Sequence, residues 1–154
     1  MAWHYTSTGI NTPDTFSNST DANTLDDFET GVWNGVFSDG SNSGGGTSPG
    51  TDKYTKVGPH VSTNGDMGIE DVTGYSGGII ITGLPFTSNK QSSGMALWRN
   101  IDYTNGANVM LYVPGSGTNI LWYEAQDGGA YVHILFSNWG TTDSYFNIDY
   151  HTDT

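Results

Sequence analysis

The chain has 154 residues, 16 Asp and Glu against 4 Lys and Arg, a net charge of −12 and no cysteine. That length fits one domain able to bury about two-thirds of its unfolded surface. The acidic balance excludes nucleic acid as a partner, since clustered cations are what hold phosphates. Without cysteine neither disulfides nor thiolate-bound metals contribute, and no stretch is long and apolar enough to read as a membrane helix.

Composition sets the fold class. The chain contains 22 Gly and 13% aromatic residues, with many Ser, Thr and Asn between them, which suits short strands joined by turns. No window sustains apolar residues at i, i+3, i+4 and i+7, so helices are expected to be nearly absent. No period of 20 to 50 residues appears, which removes solenoids and propellers.

Residues 1–30 read as an extended N-terminal arm and 31–154 as the β-domain. Trp3, Tyr5, Ile10, Phe16 and Leu25 are scattered among polar residues, too sparse to offset the entropy of ordering. Such an arm orders only against a partner, and a neighbouring chain is favoured over its own domain. Trp3, Tyr5 and Phe16 are its expected anchors. Asn18-Ser19-Thr20 matches a glycosylation sequon with no secretion signal beside it.

A first strand is expected over 32–38, anchored by Trp33 and Phe37, followed by a Gly/Ser loop over 38–52 without phosphate-binding pattern. A strand over 54–63 carries Pro59, which suggests an edge or a bulge. Asn64-Gly65 predicts a hairpin turn, with 67–72 returning. Residues 77–82 are the expected central strand. Ile79, Ile80 and Ile81 are β-branched and uninterrupted by polar residues, so both faces should be covered. Gly83 and Pro85 end that strand, folding Leu84 and Phe86 back over one end of the core.

Five more strands follow, over 95–103, 108–113, 119–124, 130–137 and 144–150. Asn105-Gly106, the run from Pro114 to Gly117, and Asp127-Gly128-Gly129 separate the first four. Spacings of this size produce an antiparallel β-sandwich or jelly roll.

Three segments carry a family resemblance. Phe28-Glu29-Thr30-Gly31-Val32-Trp33, Tyr54-Thr55-Lys56-Val57-Gly58 and Ile81-Thr82-Gly83-Leu84-Pro85-Phe86 occur in that order. The region from Phe28 onward resembles a module of tailed-bacteriophage virion proteins found on tail fibres and other surface appendages. The family pattern begins "F/Y-E-x-G-x-W", continues through "Y-T-K-[IV]-G-N" and closes on "I-x-G-L-P-F". Here Asn34-Gly35 stands where Thr-Pro is usual, and Pro59 replaces the usual Asn. The resemblance implies a jelly-roll-like β-sandwich, often trimeric, on the virion surface. It implies a non-enzymatic structural protein, decorating the capsid or forming a short head or tail appendage. The chain begins at Met1 with only a short arm, so it is expected to sit directly on a larger assembly. The alternative is a receptor-binding tip module taking a host glycan on Trp139 and Tyr145.

Chemistry is sparse. His4, His60, His133 and His151 lack metal-ligand spacing, and His133, between two apolar strand residues, reads as a hydrogen-bonded structural histidine. There is no nucleophile elbow. Glu70-Asp71, Glu124, Asp127 and Asp143 could supply the carboxylate pair of a glycosidase, but solvated turns are the stronger reading. The oxygen-rich Asp26-Asp27 and Asp39 suit calcium, without an EF-hand pattern behind them. No catalytic residue, metal or cofactor is assigned.

What remains is two-faced hydrophobicity. Val132, Ile134 and Phe136 oppose Tyr131, His133 and Leu135; Met110 and Tyr112 oppose Val109, Leu111 and Val113. A solvated sheet face alternates to polar. These strands predict a face covered by an oligomer, with Tyr112, Trp122, Tyr131 and Leu135 at the contact of a homotrimer. The expected partners are therefore further copies and other virion proteins.

Overall fold

A computed structural model describes residues 4–6, 9–11, 28–47, 52–102, 108–140 and 142–153. The described chain is all-β and antiparallel, as the composition predicts. Strands β1 (His4–Thr6) and β2 (Gly9–Asn11) pair only with each other. The expected arm thus contains a hairpin of its own. Of its anchors, Trp3 and Phe16 lie outside the described residues, and Tyr5 stands in β1 opposite Ile10.

The remaining strands are β3 (Phe28–Val32), β4 (Val36–Ser38), β5 (Ser43–Thr47), β6 (Lys53–Val57), β7 (His60–Ile69), β8 (Ile80–Thr82), β9 (Ser92–Trp98), β10 (Val109–Val113), β11 (Asn119–Glu124), β12 (Val132–His133) and β13 (Thr142–His151). One sheet takes them all. Its order runs β13-β9-β10-β11-β8-β4-β5-β7-β6-β3, and β12 attaches to β11. Because β13 also pairs with β7 along its whole length, the circuit from β7 through β13 to β5 returns to β7. The two layers expected of a sandwich are therefore one curled sheet closed on itself, which removes most free edges.

Strict alternation explains where the core sits. Every second residue of β7, β10, β11 and β13 is buried, giving Val61, Met67, Ile69, Leu111, Ile120, Trp122, Phe146 and Ile148 to the interior. Ile79 and Ile81 are fully buried, and β8 has β4 on one side and β11 on the other, so it is central as expected. Leu84 is buried and Phe86 half-buried, in line with the predicted fold-back.

Several boundaries differ from expectation. The sheet starts at Phe28, ahead of the expected boundary at 31, because Phe28 pairs with Val57. The first strand divides into β3 and β4 around Trp33, Asn34 and Gly35. The Gly/Ser stretch contains β5, held by backbone pairing to β4 and β7. The hairpin turn is at Gly58-Pro59, where Gly58 takes φ +55°, and Asn64-Gly65 lies mid-strand in β7. A Cβ on Gly65 would sit 2.2 Å from Phe146 Cζ, so glycine is there to admit an aromatic ring. The Asn64 side chain instead accepts from Lys53 N at 2.6 Å, and its carbonyl accepts from Trp33 Nε1 at 2.8 Å. The strand expected over 130–137 shortens to β12, followed by a 3-10 turn over Phe136–Asn138.

The three segments behind the family resemblance meet at one place. Tyr54 donates its hydroxyl proton to the Glu29 carboxylate, and its ring covers Gly31, where a Cβ would lie 2.5 Å from Cε1. The same ring packs edge-on against Phe86 at 5.3 Å, and Lys56 Nζ lies 5.6 Å from the Phe86 ring centre. Phe86 N donates to Tyr150 Oη at 3.2 Å. The motifs therefore specify a fastening of the sheet.

Candidate binding surface

The outward face of β9 to β12 follows from register. Met110 stands opposite Met95 and Tyr123, Tyr112 opposite Ser93 and Leu121, and Tyr123 opposite His133. Opposed residues of an antiparallel pair share a face. This face is therefore apolar and aromatic where a solvated one would be polar.

Three tyrosines converge on it. Tyr123 meets Tyr131 at 4.9 Å and Tyr112 at 5.8 Å, both edge to face, and Tyr112 lies 6.5 Å from Tyr131. Tyr131 reaches them through the turn at Asp127-Gly128-Gly129, where Gly128 adopts φ +70°. With Gln91, Ser93, Met110 and Ala125 they line a pocket of about 330 Å³. Burial, then the neighbouring Tyr131 and Tyr112, push the Tyr123 hydroxyl above its usual pKa.

His133 fixes the floor. Its Nε2 donates to the Ile79 carbonyl at 2.9 Å, which makes it the hydrogen-bonded structural histidine expected. Its ring stacks on Tyr123 at 4.9 Å and lies over Gly78, where a Cβ would come within 2.2 Å of it.

A second apolar area adjoins the first on β9 and β13. Leu97 is 71% exposed, Met95 65% and Tyr145 48%, with Tyr145 directly opposite Leu97. They border a broad, open trough shared with Asn64, Asp66 and Asn147.

Of the side chains expected at an oligomer contact, Tyr112, Tyr131 and Leu135 do lie on this outer face, and Leu135 is exposed. Trp122 does not: it is fully buried, so strand parity takes it inward. Of the two expected glycan contacts, Tyr145 is exposed but Trp139 is 4% exposed. Trp139 packs between Phe37 at 5.0 Å, Trp122 at 5.2 Å and Phe136 at 5.8 Å, and is a core residue. Tyr123 was missed. The signal for it was available, since a turn centred between Ser116 and Gly117 sets Met110 against Tyr123 and brings Tyr112 beside it.

The carboxylates are engaged separately. Asp143 pairs with Arg99 at 2.6 Å, and Asp52 accepts from Asp66 N at 2.8 Å. Glu124 is buried at the end of β11. Asp39 accepts from the backbone of Asn42 at 2.6 Å, Ser41 at 2.8 Å and Ser76 at 3.0 Å, which holds its carboxyl far below the usual carboxylate range. It fastens a loop. Asp26 and Asp27 lie outside the described residues. Among the described residues no group of three His, Cys, Asp or Glu is placed to hold a metal ion.

No family model matches the sequence, and no curated protein is significantly similar to it. The fold is similar to that of the Dettilon tailspike protein (gp208), with a TM-score of 0.61 and 20% sequence identity. The similarity covers 80% of this chain and 23% of the tailspike chain, so the chain corresponds to under a quarter of that protein.

Proposed function

We propose that this chain is a virion-surface module of a phage tail appendage, working by binding and assembly rather than by turnover. The carrying observation is the fold shared with a tailspike over 80% of the chain, on a sequence whose motifs resemble those of virion appendage proteins. That neighbour favours the tail over capsid decoration. The non-enzymatic reading is supported by Asp143, Asp52 and Asp39, engaged separately in an ion pair, a backbone contact and a loop. Gold-labelled antibodies against this chain on intact virions test the assignment. Label on the tail is expected; label confined to the head, or none, overturns it.

Self-association belongs to this reading. Copies at −12 repel one another, so an exposed apolar area is where they can meet. Met95, Leu97 and Tyr145 provide it. The expected homotrimer is accordingly assigned to that part of the face, with Trp122 removed from the contact. Light scattering should give three times the 16.5 kDa chain mass, and a monomer at micromolar concentration would refute it. The receptor-binding alternative is favoured by a separate observation, the tyrosine pocket.

A further inference from the structure

We infer that the pocket between Tyr112, Tyr123 and Tyr131 binds a neutral saccharide unit. The inference rests on the receptor-binding reading of the appendage and places its site away from Trp139 and Tyr145.

The first support is the match of surface chemistry. A pyranose carries an apolar face of C–H groups and a rim of hydroxyls. The pocket offers the complement: mostly apolar aromatic and methionine surface, lined by three tyrosines, Gln91 and Ser93, residues that carry hydroxyl and amide groups. None of the three phenol hydroxyls hydrogen-bonds to another described residue, so they are available to a ligand. An apolar side chain from a protein would leave those groups unused.

The second support is charge. No acidic or basic side chain lines the pocket, and the chain around it is −12. An anionic sugar would meet repulsion with no cation to offset it. A cation would find rings but no lining carboxylate. Neutral hydroxylated ligands are what remains.

The third support is preorganisation. Tyr123 is held between His133 and the edge-on rings of Tyr112 and Tyr131, and His133 is itself tied to the Ile79 carbonyl. Tyrosines have only two side-chain torsions to fix, so little entropy is lost on binding. The volume, about 330 Å³, is at the small end of ligand pockets and admits a terminal sugar rather than a long chain segment.

The test uses the full chain and NMR titration with the methyl glycosides of glucose, galactose, mannose and N-acetylglucosamine. Glucuronic acid, sialic acid and tetramethylammonium are the charged comparators. At least one neutral glycoside should shift the ring signals of Tyr112, Tyr123 and Tyr131 at millimolar concentration. Tyr131→Ala should weaken that binding roughly tenfold or more, and Tyr131→Phe by less, since the ring is kept. Leu97→Ser, in the separate apolar area, should leave it unchanged. No ring shift with any neutral glycoside overturns the inference. So does equal binding of the charged comparators, or binding that survives Tyr131→Ala and Tyr112→Ala together. Dissociation of an oligomer by Tyr131→Ala would also overturn it, by making the pocket a contact between copies. Tail labelling without glycoside binding would remove this site and leave the appendage assignment standing.

Discussion

The molecule contains two tyrosine clusters of similar make-up and opposite use. Around Tyr54 the polar groups are engaged within the fold: the Tyr54 hydroxyl goes to Glu29, Tyr150 Oη accepts from Phe86 N, and the Lys56 ammonium lies over the Phe86 ring. Around Tyr123 the rings pack as closely, yet Tyr131 is 65% exposed and the phenol hydroxyls have no described partner. The difference teaches where recognisable motifs point. All three appendage-like segments run into the first cluster, so they record how the sheet is fastened. The second cluster carries no motif, and its residues come from strands joined only by register.

Truncating the ring at the centre of the first cluster separates the two most strongly. Phe86→Ala removes the surface on which Tyr54 and Lys56 rest, and leaves Lys56, 3% exposed, beside a cavity. A loss of about 3 kcal/mol is expected, the low end for truncating a core aromatic because Phe86 is half-buried. For a domain of this size that lowers the melting temperature by roughly 6–12 °C. Calorimetry checks it, and a shift under about 2 °C would show that the motif cluster contributes little.

Much of this was legible in the sequence, and what was not has definite causes. The all-β class, the central Ile79–Ile81 run, the fold-back at Leu84 and the hydrogen-bonded His133 follow from branching, turn residues and alternation. The Asn64-Gly65 pair misled because glycine has two uses. It relieves a turn, or it clears space for a neighbouring ring, and only the position of Phe146, 81 residues further along the chain, decides between them.

 The pairing of β7 with β13 sets Gly65 directly against Phe146. Trp122 is expected outside because both faces of its strand carry large apolar residues, so parity cannot be assigned, and Trp139 because it falls between the strands expected over 130–137 and 144–150. The Gly/Ser stretch gave no side-chain pattern from which β5 could be read, since its pairing is made by the backbone.

Alkaline pH sharpens the comparison through Tyr150, which belongs to the first cluster and is 1% exposed. Burial raises its pKa to about 12, against an ordinary value of 10.0. A raised folded-state pKa means the native state holds the proton more tightly. The stabilisation is complete below pH 10 and is lost as pH rises toward 12. A decline on the order of 2–3 kcal/mol is expected across that window. Lys56 has the opposite sign: burial lowers its pKa, so its cost is relieved as pH rises toward 10.5. Urea unfolding at stepped pH should show the decline in the native chain and not in Tyr150→Phe. An equal decline in both would assign it to other groups.

The smallest expected effect is the one on which the contrast depends most. Tyr131→Ala removes a ring that is 65% exposed and touches Tyr112 and Tyr123 only from the solvent side. No hydrogen bond to a described residue is lost, and no cavity opens in the core. Stability should therefore stay within about 0.5 kcal/mol of the native chain, as for a surface substitution. A ring at a solvent-facing position with so little effect on folding is free to serve contact with a ligand. If calorimetry instead shows a loss near that of Phe86→Ala, the second cluster is a fastening like the first. The two would then differ in exposure alone, and the pocket would be a by-product of packing.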